Sequence, residues 1–161
     1  MERTLIRPPG NEYSGFNMGV HGIHPQMTVS SPSFWGLWLG LHERIGGKLL
    51  VAHNVGFDFS VLRHCLDDCR RRYPDADYLC TLVVSRAHWP HLRSHRRPDV
   101  AHHCSITLQH HDPGGDALAC AETLLHVARE GGGATPHEVA RRGSIHPGRL
   151  HAAGYRACGR A

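Results

Sequence analysis

The sequence predicts an α/β domain, and three observations carry that reading. Short apolar runs that suit strands alternate with longer segments whose apolar residues recur at helical spacing. Glycine and proline, 18 and 10 of the 161 residues, punctuate the chain between them. A composition of 40% hydrophobic and 20% charged residues supplies a core and excludes wholesale disorder. No apolar run approaches the ~18 residues that cross a bilayer. Met1-Glu2-Arg3 leads into no apolar stretch of the secretory kind. The expectation is a cytoplasmic protein without a membrane partner.

Thr4-Leu5-Ile6-Arg7, stopped by Pro8-Pro9-Gly10, reads as the tail of a strand. Residues 11–33 read as loop, with Gly15, Gly19, Gly22, Pro25 and Pro32 between polar runs. Ser33 is placed to cap a helix through Phe34, Trp38, Leu41 and Ile45, ended by Gly46-Gly47. Leu49-Leu50-Val51-Ala52 has the continuous apolar character of a strand buried on both faces. Asn54 is placed to cap a second helix carrying Phe57, Val61, Leu62, Cys65 and Leu66. Tyr78–Val83 reads as a strand running into a helix, and Asp99 is placed to cap a short one. The strongest helix begins near Asp116, carries Leu118, Ala121, Leu124, Leu125 and Ala128, and stops at Gly131-Gly132-Gly133. Residues 1–130 are the expected domain. Residues 131–161, rich in glycine, arginine and histidine, are expected to be a loose tail with a short helix at 137–142.

Lysine and arginine number 18 against 14 acids, a net charge of +4 that permits a polyanionic partner without demanding one. The six cysteines form no C-x-x-C pair and read as reduced, buried small hydrophobes, so neither a disulfide framework nor a structural zinc is expected. The basic cluster Arg93, His95, Arg96 and Arg97 suits phosphates, although such runs are more often solvated surface.

Three residues carry the candidate chemistry: Asp58, His111 and Asp116. Asp58 falls where a helix leaves the carboxyl end of a strand, the edge at which open α/β sheets place their sites. Asp116 opens another helix, with His111 five residues before it. Two carboxylates sharing divalent cations, with a histidine to take a proton from water, are the parts of two-metal phosphodiester hydrolysis. The simpler account is that an aspartate at a helix start caps free N–H groups. Spacing does not choose between them, because His53 precedes Asp58 by the same interval as His111 precedes Asp116.

Local wording does choose. His53-Asn54-Val55-Gly56-Phe57-Asp58-Phe59-Ser60-Val61-Leu62 resembles the second motif of the DEDDh 3′–5′ exonucleases, the family of the proofreading epsilon subunit of bacterial DNA polymerase III. His111-Asp112-Pro113-Gly114-Gly115-Asp116-Ala117-Leu118-Ala119 is similar to its third motif. Gly19-Val20-His21-Gly22-Ile23 resembles the segment that lines the pocket for the 3′-terminal nucleotide. The resemblance implies an RNase H-like mixed sheet with helices on both sides and Asp58 and Asp116 as metal-binding carboxylates. It also implies His111 as general base, with His21, Asn54 and Phe57 near the terminal nucleotide. The implied cofactor is a pair of Mg²⁺ or Mn²⁺ ions. The implied partners are the 3′ end of single-stranded DNA or RNA and a DNA polymerase subunit.

One departure stands out. The family's first motif, a strand bearing D-x-E, supplies two of four acids, and no D-x-E occurs in these residues. Residues 3–7 instead resemble the family's third strand. A misplaced start, a degraded remnant and a second chain that completes the sheet all account for this. The first is favoured because the later motifs keep their form. The expected function is a 3′–5′ exonuclease, impaired without the D-x-E strand. The alternative is a non-catalytic module that binds nucleic acid or accompanies a polymerase.

Overall fold

The computed structural model describes residues 3–108, 112–131 and 133–160. The chain divides into two units, Met1–Arg44 and Ile45–Ala161.

In the first unit, Ser14 accepts a hydrogen bond from the Asn17 backbone N–H and so caps α1 (Gly15–His21). Gly22 then ends it in the left-handed conformation, at φ 67°. The segment read as loop therefore holds α1 and the single turn α2 (Pro25–Thr28), because cap and stop signals outweigh its polar composition. Thr28 is fully buried and bonded to Tyr13, Asn11 and the Pro25 carbonyl, a buried polar knot. Ser33 caps α3 (Phe34–Ile45) through the Gly36 N–H, as its position predicts. Residues 4–7 do not form the expected strand. They make one parallel bridge, Arg7 to Ser33, since a four-residue segment stopped by Pro8 has no ladder to extend.

In the second unit, β1 (Leu49–Ala52) leads through His53–Val55 into α4 (Gly56–Asp68). Asn54 does not cap α4. It occupies the left-handed region at φ 58°, where asparagine is tolerated, and its carbonyl accepts the Phe57 N–H, so the turn starts one residue later. β2 (Ala76–Cys80) runs directly into α5 (Thr81–His88), followed by α6 (Arg97–His103), α7 (Pro113–Gly131) and α8 (Pro136–Arg142).

β1 and β2 are parallel, in the register Leu49–Asp77 through Ala52–Cys80. Alternation along both strands separates two cores. Leu49, Val51 and Leu79 pack with Val84, Val100, Leu124, Val127 and Val139 of α5–α8. Leu50, Ala52, Tyr78 and Cys80 pack with Val55, Phe59 and Leu62 around α4. The mixed sheet therefore carries helices on both faces, as the RNase H-like reading requires. β1 is only half-buried, not enclosed as its apolar run predicts, because it is an end strand that pairs with β2 alone among the described residues.

The C-terminal stretch is not a loose tail. β4 (Gly148–His151) pairs antiparallel with β2, β5 (Gly154–Arg156) continues the sheet, and β3 (Ile145–His146) pairs with β6 (Gly159–Arg160). Leu150 is fully buried, while Arg149 and His151 beside it face water, so β4 alternates over too few residues for its period to stand out. The Tyr78 hydroxyl donates to the Arg156 carbonyl at 2.8 Å, and Arg149 grips both oxygens of Asp75. At Gly148 a Cβ would lie 2.2 Å from the Tyr78 ring, so only glycine allows β4 its approach. Leu150→Ala should destabilise the protein by about 2–5 kcal/mol in urea unfolding, since it empties a fully buried site. A change under 0.5 kcal/mol would mean that the stretch is as loose as its composition suggests.

Candidate functional site

The parallel register brings the carboxyl ends of β1 and β2 together, and α4 and α5 depart from them. Thr81, fully buried at the start of α5, lies between the two ends. Its hydroxyl is 3.4 Å from the Ala52 carbonyl and 3.0 Å from His53 Nδ1. Beside this junction opens a cleft of about 840 Å³. It is lined by Asn54, Phe57 and Asp58 from the β1–α4 turn, by Arg86 from α5, by residues 93–98 and by Asp116 from α7.

The basic run is placed there by its neighbours. Trp89, 3% exposed, donates its indole N–H to Glu130 at 2.8 Å, and its carbonyl is 3.0 Å from His95 Nε2. Trp89 thereby anchors the loop that carries Arg93 and Arg96 and leads into Arg97 at the start of α6. Four arginines face two aspartates, which leaves the cleft net positive.

Asp116 is not the cap of its helix. Asp112 performs that task by accepting the Gly115 N–H at 2.8 Å. The Asp116 carboxylate instead meets Arg97, with Nη2 2.9 Å from Oδ2. Asp58 lies in the first turn of α4. Desolvation by the cleft walls raises its carboxyl above the ordinary value, and the charge of Asp116 adds to this. Its own backbone N–H and the Arg97 guanidinium oppose the rise. Asp58 remains exposed, so water screens these influences.

Of the six residues singled out from sequence, Asn54, Phe57, Asp58 and Asp116 line this one cleft. Phe57 is 69% exposed, an aromatic ring presented to solvent at the cleft. His21 belongs to the first unit, where it ends α1 and accepts the Ile23 N–H at 2.9 Å through Nδ1. His111 lies outside the described residues. His53 and Arg86 were missed by sequence reasoning. His53 sits inside the second motif itself, and its adjacency to Asn54 was the available signal.

Among the described residues, no group of three or more histidine, cysteine, aspartate or glutamate side chains converges to hold a metal. Two carboxylates in one cleft nevertheless fit a hard divalent ion, since Mg²⁺ is commonly held by one or two carboxylates with water and substrate phosphate completing its shell.

Comparison with known proteins decides the family. The exonuclease family RNase_T matches residues 3–124, more than half of the chain. The chain belongs to this exonuclease family. A DNA polymerase III subunit epsilon-like protein of Rhodobacter capsulatus is 28% identical over 127 residues, which cover 77% of this chain and 18% of that protein. A 3′-5′ exonuclease DinG of Staphylococcus aureus is 25% identical over 115 residues, 71% of this chain and 13% of that protein. The chain thus spans less than a fifth of either curated relative. No solved structure matches it significantly. No helix among the described residues is long and apolar enough to cross a membrane.

In this exonuclease-family chain, burial pushes the His53 imidazole below its ordinary value of 6.5. Arg97 and Arg86 push the same way, against a backbone hydrogen bond with His95. The unfolded chain therefore takes up this proton first as pH falls, and stability should decline with falling pH in the window just below 6.5. An NMR titration should place the His53 midpoint below 6.5, and His53→Gln should flatten that part of the stability profile. A midpoint at or above 6.5 would contradict the burial argument.

Proposed function

We propose that the chain hydrolyses phosphodiester bonds at the 3′ ends of nucleic acids, with Asp58 and Asp116 holding divalent cations and His111 acting as general base. What carries the reading is the convergence of Asp58 and Asp116, distant in sequence, on one cleft at the carboxyl ends of two parallel strands. The exonuclease family supports it. Mg²⁺ or Mn²⁺ would supply Lewis-acid polarisation of the scissile phosphate and compensation of charge on the departing 3′ oxygen.

The chain's own residues do the rest. His111 takes the proton of the attacking water. Phe57 offers its exposed ring to the terminal base, and Asn54 lines the same cleft. Arg86, Arg93 and Arg96 receive backbone phosphates. His21 is assigned to the terminal nucleotide by motif alone. Single-stranded DNA or RNA is the proposed substrate, and the epsilon-like relative supports a polymerase subunit as partner.

Release of mononucleotides from a labelled single strand in Mg²⁺ or Mn²⁺ tests the assignment. These 161 residues hold no D-x-E, so their activity is expected to be weak and to rise when a strand bearing that motif is joined at the amino end. In that extended form Asp58→Ala and Asp116→Ala should reduce release to background, and His111→Ala should slow it by roughly 10²–10⁴-fold. Wild-type rates in Asp116→Ala would sink the assignment.

The arginine-lined cleft favours one second reading, a module that binds single strands without cutting them. It requires salt-dependent binding that survives Asp58→Ala and Asp116→Ala, with no nucleotide released by the extended form.

A further inference from the structure

We propose that Arg97 is a latch on the cleft: its guanidinium occupies Asp116 until a phosphate draws it away, so that divalent cation and nucleotide bind cooperatively. The inference rests on the proposed role of Asp58 and Asp116 as cation ligands and adds a regulation to that site.

The geometry sets up a competition. Arg97 Nη2 lies 2.9 Å from Asp116 Oδ2, so one carboxylate oxygen is already matched with a positive charge. A divalent ion approaching that oxygen must displace the guanidinium or share the carboxylate with it, and two cations held on one anion repel. The pair is weak enough to exchange. Its side chains are 39% and 24% exposed, and water screens an ion pair so placed. Nor does α7 need the Asp116 charge as a cap, because Asp112 fills that position.

Arg97 has somewhere else to go. It opens α6, while its long side chain reaches into the cleft it shares with Arg86, Arg93 and Arg96. A phosphate entering among these guanidiniums offers Arg97 oxygens in the planar geometry it prefers, in competition with the Asp116 carboxylate. Transfer of Arg97 to phosphate frees the carboxylate for the metal. By linkage, the metal strengthens phosphate binding by the same factor.

Mn²⁺ binding read by electron paramagnetic resonance, without any turnover, tests this in the full chain, with dTMP as the phosphate probe. R97Q should bind Mn²⁺ about five- to tenfold more tightly than wild type in the absence of nucleotide, within the range typical of such couplings. Added dTMP should tighten Mn²⁺ binding more in wild type than in R97Q, where only direct contact of metal with phosphate remains. R97K, which keeps the charge, should stay with wild type. R97Q binding Mn²⁺ no more tightly than wild type, while D116N abolishes binding, would overturn the latch and leave the metal assignment standing. Mn²⁺ affinity untouched by D116N would overturn both.

Discussion

The parallel pairing of β1 with β2 aligns the carboxyl ends of two strands in a register that runs from Leu49–Asp77 to Ala52–Cys80, and the candidate site is built from what leaves those ends. α4 carries Asp58 away from one, and α5 carries Arg86 away from the other. The buried Thr81 hydroxyl lies against both the Ala52 carbonyl and the His53 ring, so the two departures are fixed relative to each other by a polar contact that water does not reach. The same register sends alternate side chains to opposite faces, which is why α4 can cover one side of the sheet while α5 to α8 cover the other. Moving β2 by one residue would exchange those faces and take Thr81 out of the junction.

The electrostatics of the cleft follow from that placement. Two carboxylates approach the same space, and each feels Arg97: Asp116 by direct pairing, and Asp58 through a charge that opposes the rise caused by its partial desolvation. Three further arginines line the wall. The resulting surface is attractive to a polyanion as a whole, with its two carboxylates set among guanidiniums. Nothing in the modest net charge of the chain reveals this, because charge at a site is set by folding rather than by composition.

Much of this was legible in the sequence where signals were local and strong. Ser33 and the apolar spacing after it define α3, and Gly131 ends α7 where expected. The paired motifs around Asp58 and Asp116 indicate a shared site that spacing alone could not separate from chance. The failures have physical causes. Asn54 looks like a cap but serves a left-handed turn, since asparagine suits both and only the backbone geometry distinguishes them. The strand expected at residues 4–7 does not form, because only the single bridge from Arg7 to Ser33 is made there. The C-terminal strands have two to four residues each, and their stability comes from Leu150, Tyr78 and Arg149 meeting elements some seventy residues distant. Arg97 could be seen as part of a basic run, but its pairing with Asp116 could not.

Gly148 carries a consequence of its own. The aromatic ring of Tyr78 fills the volume that any side chain at this position would need, and the Cys158 backbone nitrogen closes the remaining side. The returning hairpin and the tyrosine are thus interlocked as a matched pair. A related protein with a bulkier residue at 148 must either shrink its counterpart at 78 or route this hairpin along a different path. Co-occurrence of a small residue and a large ring at these two positions is therefore a signature by which these strands can be recognised in relatives, independently of the motifs around Asp58 and Asp116.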